Sequence, residues 1–158
     1  MGSTLKRIRY TSPVKLRVAW IGKSKEPAYQ ALTTEYLKRI SRYNPIESQE
    51  FPSEAALLKY LEKSVPKPFV VLLDARGKQL SSEELAEVMR DHQDRGTSQM
   101  MFAIGPADGF SEEAIQVAGM RLSLGKMTLA HELARVVMLE QIYRAYTILK
   151  GHPYHLGH

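Results

Sequence analysis

The chain has 158 residues, 44% of them apolar and 25% charged, which excludes a disordered chain and allows one domain with a buried core. No apolar run approaches the ~18 residues of a membrane span. There is no cysteine, so disulfides and thiolate metal sites are excluded, which suits the cytoplasm. A formal charge of +5 permits a polyanionic partner such as RNA without requiring one.

Residues 1–13 carry Lys6, Arg7 and Arg9, show little periodicity and lack the apolar segment of a secretory signal. They read as a flexible basic arm before a single domain over residues 14–158. Residues 14–22, VKLRVAWIG, alternate and then turn apolar, as a core strand ending at a glycine does. Lys23, Ser24 and Lys25 form the loop that follows. Glu26-Pro27 opens a helix, with proline where its missing N–H costs nothing. Ala28, Leu32, Tyr36, Ile40 and Tyr43 recur along it at helical spacing, and Asn44-Pro45 ends it.

Residues 46–51 suit a short strand. Ser53 reads as the cap of a helix running to about Ser64, with Leu57, Leu58 and Leu61 on its buried side. After Pro66-Lys67-Pro68, the unbroken apolar run FVVLLD at residues 69–74 suits a strand buried on both faces of a parallel sheet. Arg76-Gly77-Lys78 reads as a turn. Ser81 and Glu84 match a capping box ahead of a helix carrying Leu85, Val88 and Met89, which Arg95-Gly96 ends. QMMFAIG, residues 99–105, is another buried strand. The loop Pro106-Ala107-Asp108-Gly109-Phe110 follows, then a helix capped by Ser111 with Glu112 and Glu113 in its first turn.

Gly119 precedes a short strand at 120–124, a turn at Gly125-Lys126 and a long helix over 131–150. On that helix Met138, Leu139, Ile142, Tyr143, Tyr146 and Leu149 make one wide apolar stripe, which suits core or dimer packing better than base stacking. Arg135 falls within the stripe at the end nearest the turn, where nothing local supplies the anionic or polar partner it needs. Glu140 and Arg144 form an i,i+4 pair that reads as structural. In the tail GHPYHLGH, Pro153 breaks any helix that would align His152, His155 and His158, so no metal is expected.

Strands alternating with helices indicate a three-layer α/β domain with a mainly parallel sheet. Such a sheet gathers the loops after Asp74, Gly105 and Leu124 at its C-terminal edge, where ligands bind. A dinucleotide-binding oxidoreductase is disfavoured, because lysines rather than G-x-G-x-x-G follow Gly22. A P-loop NTPase is disfavoured too: residues 105–109, GPADG, lack the Lys-Ser/Thr ending, and Pro106 removes an N–H. What remains is a small-ligand site built largely from the backbone of three glycine-bearing loops.

LLDARGKQLSSEELA (72–86), FAIGPADGF (102–110), LSLGKMTLAHELARVVMLEQIYRAYTI (122–148) and HPYH (152–155) occur in this order. Together they resemble the RlmH family, SPOUT-class methyltransferases that act on N3 of a pseudouridine in bacterial 23S rRNA. The resemblance covers residues 14–155. It implies an α/β domain with a C-terminal trefoil knot, a homodimer, S-adenosyl-L-methionine held in the knot, and a substrate in 23S rRNA, the large subunit or the whole ribosome. The cofactor then falls at Leu73, Gly105, Leu124, Gly125, Lys126, Met127, Thr128 and Leu129, in the three loops already singled out. Pro106 departs from the family, which usually has a second glycine there, and Leu156 stands where a basic residue is common.

Methyl transfer from a sulfonium to an imide nitrogen requires alignment of methyl, sulfur and N3, and loss of the N3 proton. His131, directly after the cofactor loop, is the candidate general base. Cationic groups could instead stabilise the anionic base ring, and Arg135 is a catalytic candidate or a dimer contact rather than a solvated side chain. Tyr154 and His155 are candidates for reaching a neighbouring active site in the dimer. Lys23, Lys25, Arg76 and Lys78 are candidate phosphate contacts. The alternative is a non-catalytic basic α/β protein that binds RNA or ribosomes; affinity for S-adenosylmethionine separates the two.

Overall fold

The computed structural model describes residues 13–156. Residues 1–12 of the expected basic arm, the side chain of His155, and His158 lie outside the described residues. The strands are β1 (Lys15–Ile21), β2 (Ile46–Phe51), β3 (Phe69–Gln79), β4 (Gln99–Ile104) and β5 (Met120–Ser123). The helices are α1 (Pro27–Ser41), α2 (Glu54–Lys63), α3 (Ser82–Asp94), α4 (Glu112–Val117) and α5 (His131–Leu149), with a 3-10 turn at Pro153–Leu156. All five strands join one sheet in the order β2-β1-β4-β3-β5, and every pairing is parallel.

Side chains alternate across a strand, so each central strand feeds two cores. Leu16 and Val18 of β1 and Phe102 of β4 face α1, α3 and α5, whose Ile40, Met89, Met138, Leu139 and Ile142 fill that side. Ala19, Ile21, Met101 and Ala103 face the opposite way, onto Leu57 and Leu61 of α2 and Ala114 of α4. The result is three layers. The helix starts are those the sequence marks. Ser53 and Ser111 accept from Ala56 N and Ala114 N, and Ser81 and Glu84 make both bonds of a capping box.

Two elements differ from the sequence reading. Arg76-Gly77-Lys78 is not a turn that ends β3: the strand continues to Gln79, and Leu73 and Lys78 both align with Leu122 of β5. Residues 74–77 therefore stand out of the ladder as an irregularity. Gly77 permits this, because a Cβ there would come within 2.6 Å of the Arg121 carbonyl carbon.

The second difference is α5. Its buried residues include Glu132, Arg135, Val136, Met138, Leu139, Ile142, Ala145, Tyr146 and Thr147, which spread beyond one stripe. The cause is packing on two sides, since α1 and α3 both lie against it. Tyr143 and Leu149 are only partly buried at the edge of that core. Among the described residues, no helix is long and apolar enough to cross a membrane.

Candidate cofactor site

The loops after β3, β4 and β5 enclose a cavity of about 540 Å³ with the first turn of α5. Seven of the eight expected cofactor positions line it: Leu73, Gly105, Leu124, Gly125, Met127, Thr128 and Leu129. Lys126 is exposed and does not line the cavity, and Met127, 86% exposed, lies at the rim. His131 and Ala134 add a wall from α5. Sequence reasoning placed the loops after Asp74 and Gly105 at the site but did not single out Asp74, Ile104, Leu122 or Ala134 as wall residues, because membership depends on how three distant loops fold over one another.

Local chemistry shapes each loop. Gly125 has φ +140, a conformation that L side chains rarely adopt. The Ser123 hydroxyl accepts from Gly125 N at 3.1 Å and donates to Gly125 O at 2.9 Å, which closes the turn leaving β5. After β4, Gly109 N donates to Pro106 O at 2.9 Å, folding Phe110 back over Gly105. Pro106 stands in the wall, and the cavity remains open beside it.

Asp74 lines the cavity as an anion. Its Oδ1 accepts from Arg76 N at 2.9 Å, and Arg121 Nη1 approaches Oδ2 at 3.4 Å. Burial works to raise its pKa, but the Arg76 N–H and the Arg76 and Arg121 guanidinium groups outweigh it and hold the carboxyl below the usual value.

The other candidates are dispersed. Arg135 is 1% exposed and turned away from this cavity, lining a second one of about 430 Å³ with Lys23, Trp20 and Glu50. Its Nε donates to Thr33 Oγ1 at 3.0 Å and its Nη1 to Ser24 Oγ at 2.6 Å. Its guanidinium lies 4.3 Å from the Trp20 ring centre, and Glu132 stands 3.8 Å away. The expectation that Arg135 has no local partner is thus corrected: Glu132, one turn back, pairs with it. Burial pushes the Arg135 pKa below its usual value, with the Glu132 and Glu50 carboxylates opposing. Of the phosphate candidates, Arg76 lines the cofactor cavity, Lys23 lines the second, Lys25 lies exposed in the β1–α1 loop, and Lys78 is exposed on β3.

Glu140 and Arg144 are more than an isolated pair. The Glu140 carboxylate takes Arg144 and, at 3.0 Å, the Tyr154 hydroxyl on Oε2, while Gln141 Nε2 donates to its Oε1 at 2.9 Å. Ser82 Oγ donates to Gln141 Oε1 at 2.6 Å, which fixes the amide's orientation. Tyr154 also meets the Tyr143 ring edge-on at 4.7 Å. Burial, then hydrogen bonds with Tyr36 and Glu140, push its pKa well above the ordinary value, so it remains a donor. His131 and Tyr154 flank opposite ends of α5, whose 19 residues span ~28 Å. One chain does not bring them together.

Solved structures show the fold. The chain superposes on a probable methyltransferase from Bordetella pertussis Tohama I with a TM-score of 0.59 and 11% identity, covering 92% of this chain and 99% of that one. A tRNA (m1G37) methyltransferase from Aquifex aeolicus gives 0.56 and 16% identity, over 82% of this chain and 69% of that one. At such identities the likeness shows the fold, which is that of the α/β methyltransferases. Sequence then fixes the family: the profile described as predicted SPOUT methyltransferase matches residues 14–155, and the chain belongs to that family. Among its relatives, a ribosomal RNA large subunit methyltransferase H from Koribacter versatilis is 58% identical over 146 residues, 92% of this chain and 100% of the relative. A protein of the same name from Geobacter metallireducens is 43% identical over 152 residues, 90% of this chain and 99% of the relative.

Proposed function

We propose that this enzyme methylates N3 of a pseudouridine in the 23S rRNA of the large ribosomal subunit, using S-adenosyl-L-methionine and acting as a cytoplasmic homodimer. The observation that carries this reading is the convergence of the loops after β3, β4 and β5 on one cavity, in a chain 58% identical to a ribosomal RNA large subunit methyltransferase H. The substrate follows that relative's name, and N3 of pseudouridine follows the family resemblance. A cavity of about 540 Å³ falls in the ~300–1,000 Å³ range of small-ligand sites. In this reading the path of the chain through the β3–β5 region is the trefoil knot.

Bound in this cavity, the cofactor supplies an electrophilic methyl group on a sulfonium. Leu73, Ile104, Leu122, Leu124 and Leu129 give its walls apolar contact, and Gly105 and Gly125 present backbone that would hold the cofactor. The Asp74 carboxylate, ionised at neutral pH, places a negative charge in the cavity wall. His131, in the wall at the start of α5, takes the N3 proton. Tyr154 completes the site from a second copy, since α5 separates it from the cavity of its own chain, and His155 joins it there by the family resemblance. Arg76 in the cavity wall, and Lys23 and Lys25 in the separate β1–α1 loop, hold RNA phosphates.

Titration calorimetry with S-adenosylmethionine, followed by methyl transfer to ribosomes lacking the modification, tests the reading. Micromolar-range cofactor binding and incorporation into 23S rRNA are expected. Ribosome or RNA retention without any cofactor affinity would favour the non-catalytic RNA binder instead.

A further inference from the structure

The first turn of α5 has an unusual anchor. Ala130 occupies its cap position and contributes no side-chain bond. Yet this is where the loop after β5 runs into the helix and where His131 and Ala134 face the cavity. Anchoring comes from residues turned the other way. Glu132 Oε1 accepts the Lys25 N–H at 3.0 Å, so the β1–α1 loop is bound to the helix start by its backbone. Arg135 reaches Ser24 in the same loop and Thr33 on α1, and lies over Trp20 of β1. Both residues are buried, Glu132 at 8% and Arg135 at 1% exposure. The planar guanidinium addresses a loop, a helix and a strand at once, which a lysine or an apolar side chain would not reproduce.

We infer that Glu132 and Arg135 are positioning residues for methyl transfer. By fastening the β1–α1 loop to the first turn of α5, they fix His131 and the loop from Leu124 to Ala130 in their working geometry. A helical turn moves as a unit, so displacement on the Arg135 side is felt at His131, four residues earlier. Displacements of about 1 Å are enough to cost a large part of a rate that depends on in-line alignment. The inference rests on reading the cavity as the cofactor site.

The test uses Ser24→Ala, which removes an Arg135 acceptor outside the cofactor cavity, and Glu132→Ala, which frees the Lys25 N–H. Glu132→Gln serves as the conservative control, because it still offers an acceptor to that N–H. Hydrogen exchange of the cofactor-free chains is read first. In Ser24→Ala and Glu132→Ala, amides between residues 124 and 134 should exchange ~10-fold faster or more, with β1 and β4 unchanged and Glu132→Gln close to the parent. S-adenosylmethionine affinity and cofactor-saturated kcat should fall ~10-fold or more in the same two variants, and Glu132→Gln should restore both. Exchange that rises uniformly with a lowered Tm, or is unchanged in residues 124–134, would overturn the inference and leave the cluster a stabilising one only. A parent chain without cofactor affinity would refute the functional reading, while the exchange comparison would still decide on the anchor.

Discussion

Asp74 is half-buried beside two guanidinium groups, and its lowered pKa means that the folded chain binds that proton less tightly than the unfolded chain. Its contribution to stability is therefore complete above the unfolded value of about 3.9 and is lost as pH falls through the folded value. Asp74→Asn should lower the Tm at pH 7, and the gap to the parent should close as the pH drops below about 4. A gap of equal size at both pH values would remove charge from the explanation. Arg135 supplies a second case. Truncating Arg135 leaves the buried Glu132 carboxylate without its cation and opens a void, so Arg135→Ala should cost about 3–5 kcal/mol in chemical denaturation. A loss below about 1 kcal/mol would place the guanidinium in water instead. Arg135 was legible in the sequence as an anomaly, a cation inside an apolar stripe. Glu132, one turn back, was within reach of helical spacing, but Ser24 and Thr33 were not legible, because they lie 111 and 102 residues away.

At the scale of elements, local signals were read most faithfully where local bonds decide the outcome. The capping box of Ser81 and Glu84 forms as its spacing indicates, and the apolar runs of β3 and β4 are buried as their composition requires. The β3 tail shows the opposite case. Arg76-Gly77-Lys78 has good turn chemistry, but pairing with β5 extends the strand to Gln79, and long-range pairing overrides local preference. The irregularity at residues 74–77 puts Asp74, Ala75 and Arg76 into the cavity wall, at the edge where the sequence placed the loop after Asp74. Gly77→Ala tests this link. The added methyl would meet the β5 backbone at 2.6 Å, so one strand must move. About 1–3 kcal/mol of destabilisation is expected, together with weaker S-adenosylmethionine binding. Parent-like stability and affinity would mean that β3 and β5 can separate without disturbing the site.

For the whole molecule, the three ligand-bearing loops were legible twice, from the direction of the parallel strands and from the family motifs. What neither route located was the distance between the two groups of candidate catalytic residues. His131 opens α5 and Tyr154 follows its far end, held against Glu140 by a hydrogen bond of 3.0 Å. If both serve one reaction, they come from two copies, and a variant in either should be rescued by the other. His131→Ala and Tyr154→Phe should each abolish most rRNA methylation while retaining the fold. Co-expressed, they form mixed dimers in which one site receives an intact histidine from one chain and an intact tyrosine from its partner. Random pairing of equal amounts then leaves about a quarter of all sites complete, and activity should return to about a quarter of the parent's. No recovery, with mixed dimers demonstrably formed and cofactor still bound, would assign the tail to its own chain or remove it from the reaction. The same experiment tests the homodimer, because chains that never associate cannot exchange a tyrosine.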